Sequence, residues 1–211
     1  MDETAAREAL NVPRETLERL EAFVALLREE NERQNLVSRA TLEQVWVRHL
    51  YDSAQLLRFA PEGASTWLDL GSGAGFPGLI VAALRPEGTT TLVESRKLRV
   101  DFLKRGAEVL GVTDRVEVVP TSLQAMPAHP FDVISARAFA PLDKLLTLAE
   151  RFSQPETIWI LPKGRNAKSE LDAARASWQG VFRLEASLTD SDAMIIVASG
   201  VRRIIRGKKG R

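Results

Sequence analysis

Cysteine is absent from this chain of 211 residues, and histidine occurs only twice. The absence of cysteine excludes disulfide bonds, thiolate nucleophiles and zinc sites built on cysteine. The two histidines, His49 and His129, do not have the spacing of metal ligands, so no metal site is predicted. No apolar run reaches the ~18 residues that a membrane span needs, and no secretory leader is predicted. We therefore expect a cytoplasmic protein that does not bind a membrane.

The formal net charge of +1 conceals opposite charge at the two ends of the chain. Residues 1–32 carry nine acidic side chains and four arginines, whereas residues 201–211 carry six cations and no acid. A basic tail of this kind can bind phosphates, and it can equally be a solvated terminus. Both interpretations of residues 201–211 stay open from the sequence alone.

The first part of the chain has the periodicity of helices. Apolar residues recur at helical spacing between Arg14 and Asn31. A second helix is predicted to start near Thr41, where Thr41 and Gln44 match a capping box. We expect residues 1–62 to form a helical extension that packs on the main domain.

Strand-like runs alternate with helical segments through the rest of the chain. The predicted strands are 65–70, 89–94, 115–120, 131–136, 157–162, 180–187 and 193–199, and helices at 77–84, 96–110, 141–152 and 166–178 separate most of them. This alternation is typical of an α/β fold with a mostly parallel sheet covered on both faces. The last two strands have no helix between them, so we expect a hairpin with the final strand antiparallel at one side. Residues 63–200 are thus predicted to form one domain.

A glycine-rich turn follows the first predicted strand, where residues 69–78 read Asp-Leu-Gly-Ser-Gly-Ala-Gly-Phe-Pro-Gly. Glycine lets bare backbone approach a ligand beside a helix N-terminus. Residues 73–78 match the G-x-G-x-x-G pattern, which taken alone suggests NAD. However, Asp69 precedes the turn, and Pro77 lacks the N–H group that a pyrophosphate would use. An acid and a crowded helix start favour a cofactor with a cationic amino-acid end, such as S-adenosylmethionine (AdoMet).

Two further strand ends carry side chains suited to a nucleoside. Glu94 closes the second predicted strand, where a carboxylate can accept hydrogen bonds from both ribose hydroxyls. The alternative is a surface acid paired with Arg96 or Lys97. Leu123 and Gln124 follow the third strand and can meet adenine, with an apolar contact and an amide respectively.

Arg137 and His49 are the remaining candidates for a site. Arg137 follows the fourth predicted strand, and ligands bind beyond the carboxyl ends of strands beside the first one, so we expect it near the reacting centre. The alternative is a salt bridge on a loop. His49 lies on a predicted helix, where a buried, hydrogen-bonded structural histidine is favoured over a catalytic one.

Motifs that this chain lacks exclude some classes of methyl acceptor for an AdoMet-dependent enzyme. The fourth strand is followed by Ser-Ala-Arg-Ala-Phe at 135–139, not by the Asn/Asp-Pro-Pro-aromatic run common in enzymes that methylate exocyclic amino groups. Enzymes that modify carbon 5 of pyrimidines use a cysteine nucleophile, and this chain has no cysteine. An acceptor with its own lone pair, such as guanine N7, remains, and it needs alignment without a general base. No catalytic acid or base is therefore predicted.

The chain resembles the ribosomal RNA small-subunit methyltransferase G family, also called glucose-inhibited division protein B. The matching segments lie within about residues 30–165. They are Asn35-Leu-Val-Ser38, Arg48-His-Leu-Tyr-Asp-Ser53, the glycine turn 69–78, Glu94-Ser95, Phe102-Leu103, Phe131-Asp-Val-Ile134, Ser135-Ala-Arg-Ala-Phe139 and Lys163-Gly164.

This resemblance implies a fold, an activity and a set of binding residues. The fold would be a class I AdoMet-dependent methyltransferase, Rossmann-like with seven strands. The activity would be methylation of a guanine N7 in the decoding-region loop of 16S rRNA, with the 30S subunit as partner and the enzyme expected as a monomer. Gly71 and Phe76 would line the cofactor, Leu123 and Gln124 would meet adenine, and Arg137 would lie at the cofactor and guanine side.

Three other functions remain open at this point. A small-molecule methyltransferase of the same fold suits the near-neutral total charge. A nicotinamide-binding oxidoreductase is supported only by the literal glycine pattern. An RNA-binding protein with a relict pocket would bind 30S subunits without binding AdoMet.

Overall fold

The computed structural model describes residues 1–205 of the chain. Helices make up most of the first 59 residues. The helices are α1 (Glu3–Ala9), α2 (Arg14–Gln34), α3 (Arg39–Glu43) and α4, a continuous rod that is π-helical over Trp46–Tyr51, α-helical over Asp52–Ala54 and 3₁₀ over Gln55–Phe59. Residues 206–211 of the predicted basic tail lie outside the described residues. None of the helices within residues 1–205 is both long and apolar enough to cross a membrane.

Local chemistry explains where α3 begins. The backbone of Ser38 is extended, and its hydroxyl accepts a hydrogen bond from the Thr41 N–H at 3.2 Å, which makes Ser38 the N-cap. The capping box predicted at Thr41 and Gln44 is therefore wrong, because the helix is already under way at Arg39.

The sheet has seven strands in the order β3-β2-β1-β4-β5-β7-β6. The strands are β1 (Thr66–Leu70), β2 (Thr89–Val93), β3 (Val116–Val119), β4 (Val133–Ser135), β5 (Ile158–Lys163), β6 (Trp178–Ala186) and β7 (Met194–Arg203). All neighbours run parallel except β7, which is antiparallel to both β5 and β6. The mostly parallel α/β fold and the final hairpin are confirmed.

The final strand lies inside the sheet, and β6 forms the edge. β7 carries a continuous buried run over residues 195–198, whereas most residues of β6 are exposed or half-buried. A continuous apolar run favours a position between two strands. Burial thus decides which strand of the hairpin pairs with β5.

Four more helices cover the sheet: α5 (Gly78–Leu84), α6 (Lys97–Leu110), α7 (Leu142–Ala149) and α8 (Ala167–Ala174). The α2 helix packs on α6, and its Phe23 contacts the rings of Phe76 and Phe102 at 5.9 Å between centroids. The strand order reverses at β1, which has β2 on one side and β4 on the other. Such a switch point opens a crevice at the carboxyl ends of the strands.

Candidate functional site

Two adjoining cavities occupy this crevice. The first, of about 410 Å³, lies at the ends of β1, β2 and β3, and Gly71, Glu94, Leu123 and Gln124 are among its lining residues. The second, of about 580 Å³, lies between α4, the end of β5 and the loop that joins β6 to β7. Residues 138–140 line both cavities, so we call them the partition loop.

The glycines at the two ends of the turn allow close packing. Gly71 has φ +65°, and a Cβ atom there would lie 2.5 Å from Cδ2 of Phe139 in the partition loop. A Cβ atom at Gly78 would lie 2.3 Å from Leu92 and 2.8 Å from the carboxylate of Asp69. Contacts below 3 Å mean that a side chain at either position would force a neighbouring group to shift. The glycine pattern therefore reflects close approach of helix, strands and partition loop, which needs no pyrophosphate.

Asp69 is completely buried and lines neither cavity. One carboxylate oxygen accepts from the Ser135 hydroxyl at 2.7 Å, and that hydroxyl accepts from Trp67 Nε1 at 2.8 Å. The other oxygen accepts from the Gly78 N–H at 3.3 Å. Burial raises the pKa of Asp69 although these hydrogen bonds oppose the shift. The acid thus ties β1 to β4 and α5 and faces neither cavity.

Glu94 is buried at the wall of the first cavity. One of its oxygens accepts from the backbone N–H groups of Ser95 and Arg96 at 2.8 and 2.9 Å, and the other accepts from Gly73 at 3.2 Å. Arg99 lies 3.8 Å from this second oxygen. A carboxylate has about four acceptor positions, so the second oxygen retains capacity for a ligand hydroxyl. The surface pairing with Arg96 or Lys97, weighed as the alternative, is absent among the salt bridges of residues 1–205.

Leu123 and Gln124 form another part of the first cavity. The Leu123 side chain is buried in the core beneath the cavity, while Gln124 is exposed. The turn that holds them is closed by the carbonyl oxygen of Ser122, which accepts from the N–H groups of Ala125 and Met126. This places an apolar surface and an amide next to each other on the cavity wall.

Arg137 lines the second cavity and is anchored by α4. Its Nη1 donates to the carbonyl oxygen of Arg48 at 3.0 Å and lies 3.5 Å from Oδ2 of Asp52. Its Nη2 lies 2.9 Å from Nδ1 of His49. Burial lowers the pKa of Arg137 while Asp52 opposes the shift, and an arginine keeps its charge in proteins. The loop salt bridge weighed as the alternative for Arg137 is therefore present, and Arg137 directly precedes the partition loop at the boundary of the two cavities.

Phe76 lines neither cavity with its side chain. Its buried ring stacks on the His49 ring at 4.7 Å between centroids, and the guanidinium carbon of Arg137 lies 5.1 Å from its centre. Of the six predicted site residues, four therefore meet in the first cavity, Arg137 lies in the second, and Phe76 supports Arg137 from below.

Sequence reasoning missed Asp52 and the partnership of His49 with Arg137. A sequence signal for His49 and Asp52 was available, because both belong to the segment 48–53 that matches the family. What the sequence did not reveal is a contact between residues 88 positions apart. The buried, hydrogen-bonded state expected for His49 is what the structure has.

The second cavity has further charged walls. Arg48 pairs with Asp190 of the β6–β7 loop at 2.8 Å. Lys163 donates to the carbonyl oxygen of Ala140 and to Glu170, each at 2.9 Å, and so holds the partition loop. Within residues 1–205 no group of three or more acidic or histidine side chains is placed to bind a metal ion.

The stability of the fold should depend on pH through His49. Burial and the neighbouring charges of Arg137 and Arg48 lower its pKa to about 3, against 6.5 for the free side chain. Below pH 6.5 the unfolded chain binds a proton that the folded chain does not, so stability falls as pH falls towards 3. Between pH 6.5 and 5 this amounts to about 2 kcal/mol. Denaturant unfolding of wild type and His49→Asn at both pH values gives the contribution of His49 as the difference between their pH dependences. An equal pH dependence of the two proteins would contradict the lowered pKa of His49.

Comparison with known proteins agrees with this architecture. The family described as rRNA small subunit methyltransferase G (GidB) matches residues 16–191. A protein of Rhizorhabdus wittichii named ribosomal RNA small subunit methyltransferase G is 55% identical over 201 residues, with 95% of this chain and 93% of that protein covered. A protein of the same name from Novosphingobium aromaticivorans is 49% identical, with 96% and 87% covered.

Solved structures resemble the fold at low sequence identity. An O-methyltransferase from Bacillus cereus, crystallised in complex with SAH, has a TM-score of 0.58 at 18% identity and covers 84% of this chain and 90% of its own. A SAM-dependent methyltransferase from Aquifex aeolicus has a TM-score of 0.55 at 18% identity, with 70% and 88% covered. Since the family match spans most of the chain and the relatives are about half identical, the chain belongs to the rRNA small subunit methyltransferase G family.

Proposed function

We propose that this protein transfers a methyl group from AdoMet to N7 of a guanine in the decoding-region loop of 16S rRNA. Family membership supports small-subunit rRNA as the substrate. The observation that carries the proposal is the pair of cavities that share the partition loop, with Arg137 at their boundary. Donor and acceptor sites that meet at one loop suit a direct transfer between two bound molecules.

The first cavity fits AdoMet. Its volume of about 410 Å³ lies in the range of small-molecule sites. Glu94 presents a carboxylate oxygen for ribose hydroxyls, and Leu123 with Gln124 presents an apolar surface and an amide for adenine. The bare backbone of Gly71 would allow close approach. When bound, AdoMet supplies a methyl group on a positively charged sulfur.

The second cavity fits an acceptor that needs no deprotonation. Its histidine offers no base, because Nδ1 of His49 already accepts from Arg137. The carboxylates of Asp52, Glu170 and Asp190 that line the cavity are each engaged with a cation. Guanine N7 carries an exposed lone pair and acts as an acceptor in its neutral form. The residues of this cavity therefore serve to position the acceptor, and positioning can lower a barrier by ~7–11 kcal/mol.

The substrate is tested with 30S subunits from a strain that lacks the modification. Incubation with AdoMet labelled in the methyl group should label one guanine of 16S rRNA, at a site that becomes cleavable by the chemistry specific for 7-methylguanine. Activity should fall steeply between low and moderate salt, because RNA phosphates are bound. Label that never reaches rRNA, or transfer to small molecules without RNA, would instead support the small-molecule methyltransferase.

We further propose that the protein acts as a monomer in the cytoplasm, where small subunits are assembled. Sedimentation of the free protein and of its mixture with 30S subunits tests both the monomer and the partner. A stable dimer, or failure to co-sediment with 30S subunits at low salt, would contradict this part of the proposal.

Replacing Glu94 by glutamine should weaken AdoMet binding about 10-fold, since hydrogen bonds to a charged group contribute about 1.5–3 kcal/mol. The amide keeps the shape of the side chain but loses the charge and one acceptor. Titration calorimetry with AdoMet measures the effect. Glu117→Gln, exposed on β3, is the matched control and should bind as wild type does. Equal affinity of the Glu94 variant and wild type would remove Glu94 from the cofactor site.

A further inference from the structure

We propose that one turn of α4, comprising the Arg48 carbonyl group and the side chains of His49 and Asp52, is a socket that positions Arg137, with His49 acting as a neutral hydrogen-bond acceptor. The inference rests on the proposed function, because Arg137 matters only if the boundary of the two cavities is where transfer occurs. His49 and Asp52 are positioning residues in this proposal, since they act through the arginine.

The π-helical geometry of α4 explains why the socket exists. The Asp52 N–H donates to the carbonyl oxygens of Val47 and His49 and bypasses that of Arg48. In a regular α-helix the N–H group of residue 52 would bond to the carbonyl of residue 48. The widened turn therefore leaves the Arg48 carbonyl oxygen to accept from Nη1 of Arg137 at 3.0 Å. Short π-helical turns are often found at functional sites.

Asp52 is itself fixed, so that its second oxygen faces the arginine. Its Oδ1 accepts from Thr189 Oγ1 at 2.6 Å and from Gln55 Nε2 at 2.8 Å. Its Oδ2 lies 3.5 Å from Nη1 of Arg137. The carboxylate thus joins α4, the β6–β7 loop and Arg137.

The aromatic ring of Phe76 forms the floor of the socket. The His49 ring stacks on it with an interplanar angle of 18°, and the Arg137 guanidinium lies against the same ring. Phe76 is in turn held by the edge-on ring of Phe23 in α2. Stacking and the hydrogen bonds together leave the guanidinium little freedom to adopt another orientation.

The protonation state of His49 follows from its partner. All polar atoms of a guanidinium are donors, so Nδ1 of His49 must hold a lone pair and the ring proton must be on Nε2. Within residues 1–205, Nε2 is buried without a hydrogen-bond partner. A second ring proton would point at the guanidinium and add a positive charge beside Arg137 and Arg48, whose carboxylate partners are Asp52 and Asp190. The neutral form with the proton on Nε2 is therefore the one that the socket requires.

A matched pair of variants separates positioning from packing. His49→Asn keeps an acceptor close to the position of Nδ1, whereas His49→Leu fills the space without one. Both variants are uncharged, and their thermal unfolding is compared first. We expect His49→Leu to lower kcat for methylation of 30S subunits about 10-fold with little change in KM, and His49→Asn to recover to within about threefold of wild type. Equal losses in the two variants, or no loss in either, would overturn the proposal.

Nuclear magnetic resonance tests the socket without any methylation. The chain has only two histidines, so a sample labelled with ¹⁵N in histidine gives two ring systems, and His129→Gln identifies them. We expect His49 to show an unprotonated Nδ1 and a protonated Nε2 from pH 7.5 down to pH 5, and its Nδ1 signal to move in Arg137→Leu. A ring with its proton on Nδ1, or one that titrates near pH 6.5, overturns the socket. Failure of the rRNA assay alone overturns only the proposed function.

Discussion

An Arg137→Leu variant should methylate 30S subunits about 100-fold more slowly than wild type, because small displacements of a positioning group cost this much. Leucine replaces the apolar stem of the arginine but lacks the guanidinium that lies over Phe76 and donates hydrogen bonds at the boundary of the two cavities. The fold should persist, since Asp52 still accepts from Thr189 and Gln55. Single-turnover assays give the rate, and circular dichroism checks the fold.

Two further variants sharpen this prediction. Arg137→Lys keeps the charge, but an ammonium group cannot reproduce the planar fork that reaches Arg48 and His49 together, so it should recover little activity. Arg183→Leu removes an arginine of the exposed edge strand β6 and should leave the rate unchanged. If Arg137→Leu turned over like wild type, the boundary of the cavities would not be the reacting centre.

Gly78→Ala should destabilise the protein by about 3 kcal/mol, at the upper end of the cost of overpacking a core. The added Cβ would lie 2.3 Å from Leu92 of β2 and 2.9 Å from Cβ of Asp69 in β1. Cβ of Asp69 is fixed to the strand backbone, so this contact cannot be relieved by rotation of the Asp69 side chain. The strand or the helix must shift, and the hydrogen bond from Gly78 to Asp69 would weaken. Urea unfolding measures the loss.

Gly164→Ala is the matched control for this stability measurement. Its backbone is outside the left-handed region, and no atom lies within 4 Å of an added Cβ. It should change stability by less than about 0.5 kcal/mol. Similar losses in the two variants would contradict the close packing of α5 on the sheet at Gly78.

The fold could be predicted from the sequence because its information is local. Alternating strands and helices specify a mostly parallel sheet, and the missing helix before β7 specifies the hairpin. The position of β7 between β5 and β6 depends on which strand of the hairpin is buried, which is a property of the whole sheet. The predicted start of α3 was wrong because Ser38, and not Thr41, caps the helix.

The site was predictable to the extent that it follows the strand ends. Gly71, Glu94 and Gln124 come from three separate segments, yet they line one cavity because parallel strands end at one edge of the sheet. The anchoring of Arg137 by His49 and Asp52 joins the helical extension to the β4 end, and no local pattern encodes such a contact. The burial of Asp69 also depends on tertiary structure, because the Ser135 hydroxyl of β4 donates to its carboxylate and accepts in turn from Trp67.

The central claim is that the first cavity binds the cofactor and the second binds the acceptor. A crystal structure of the protein with S-adenosylhomocysteine, the product of the cofactor, tests it most directly. We expect the nucleoside in the first cavity, with its ribose hydroxyls on Glu94 and its adenine beside Leu123 and Gln124, and the second cavity left free for the acceptor. A product molecule seated in the second cavity, beneath Arg48 and Asp190, would contradict it.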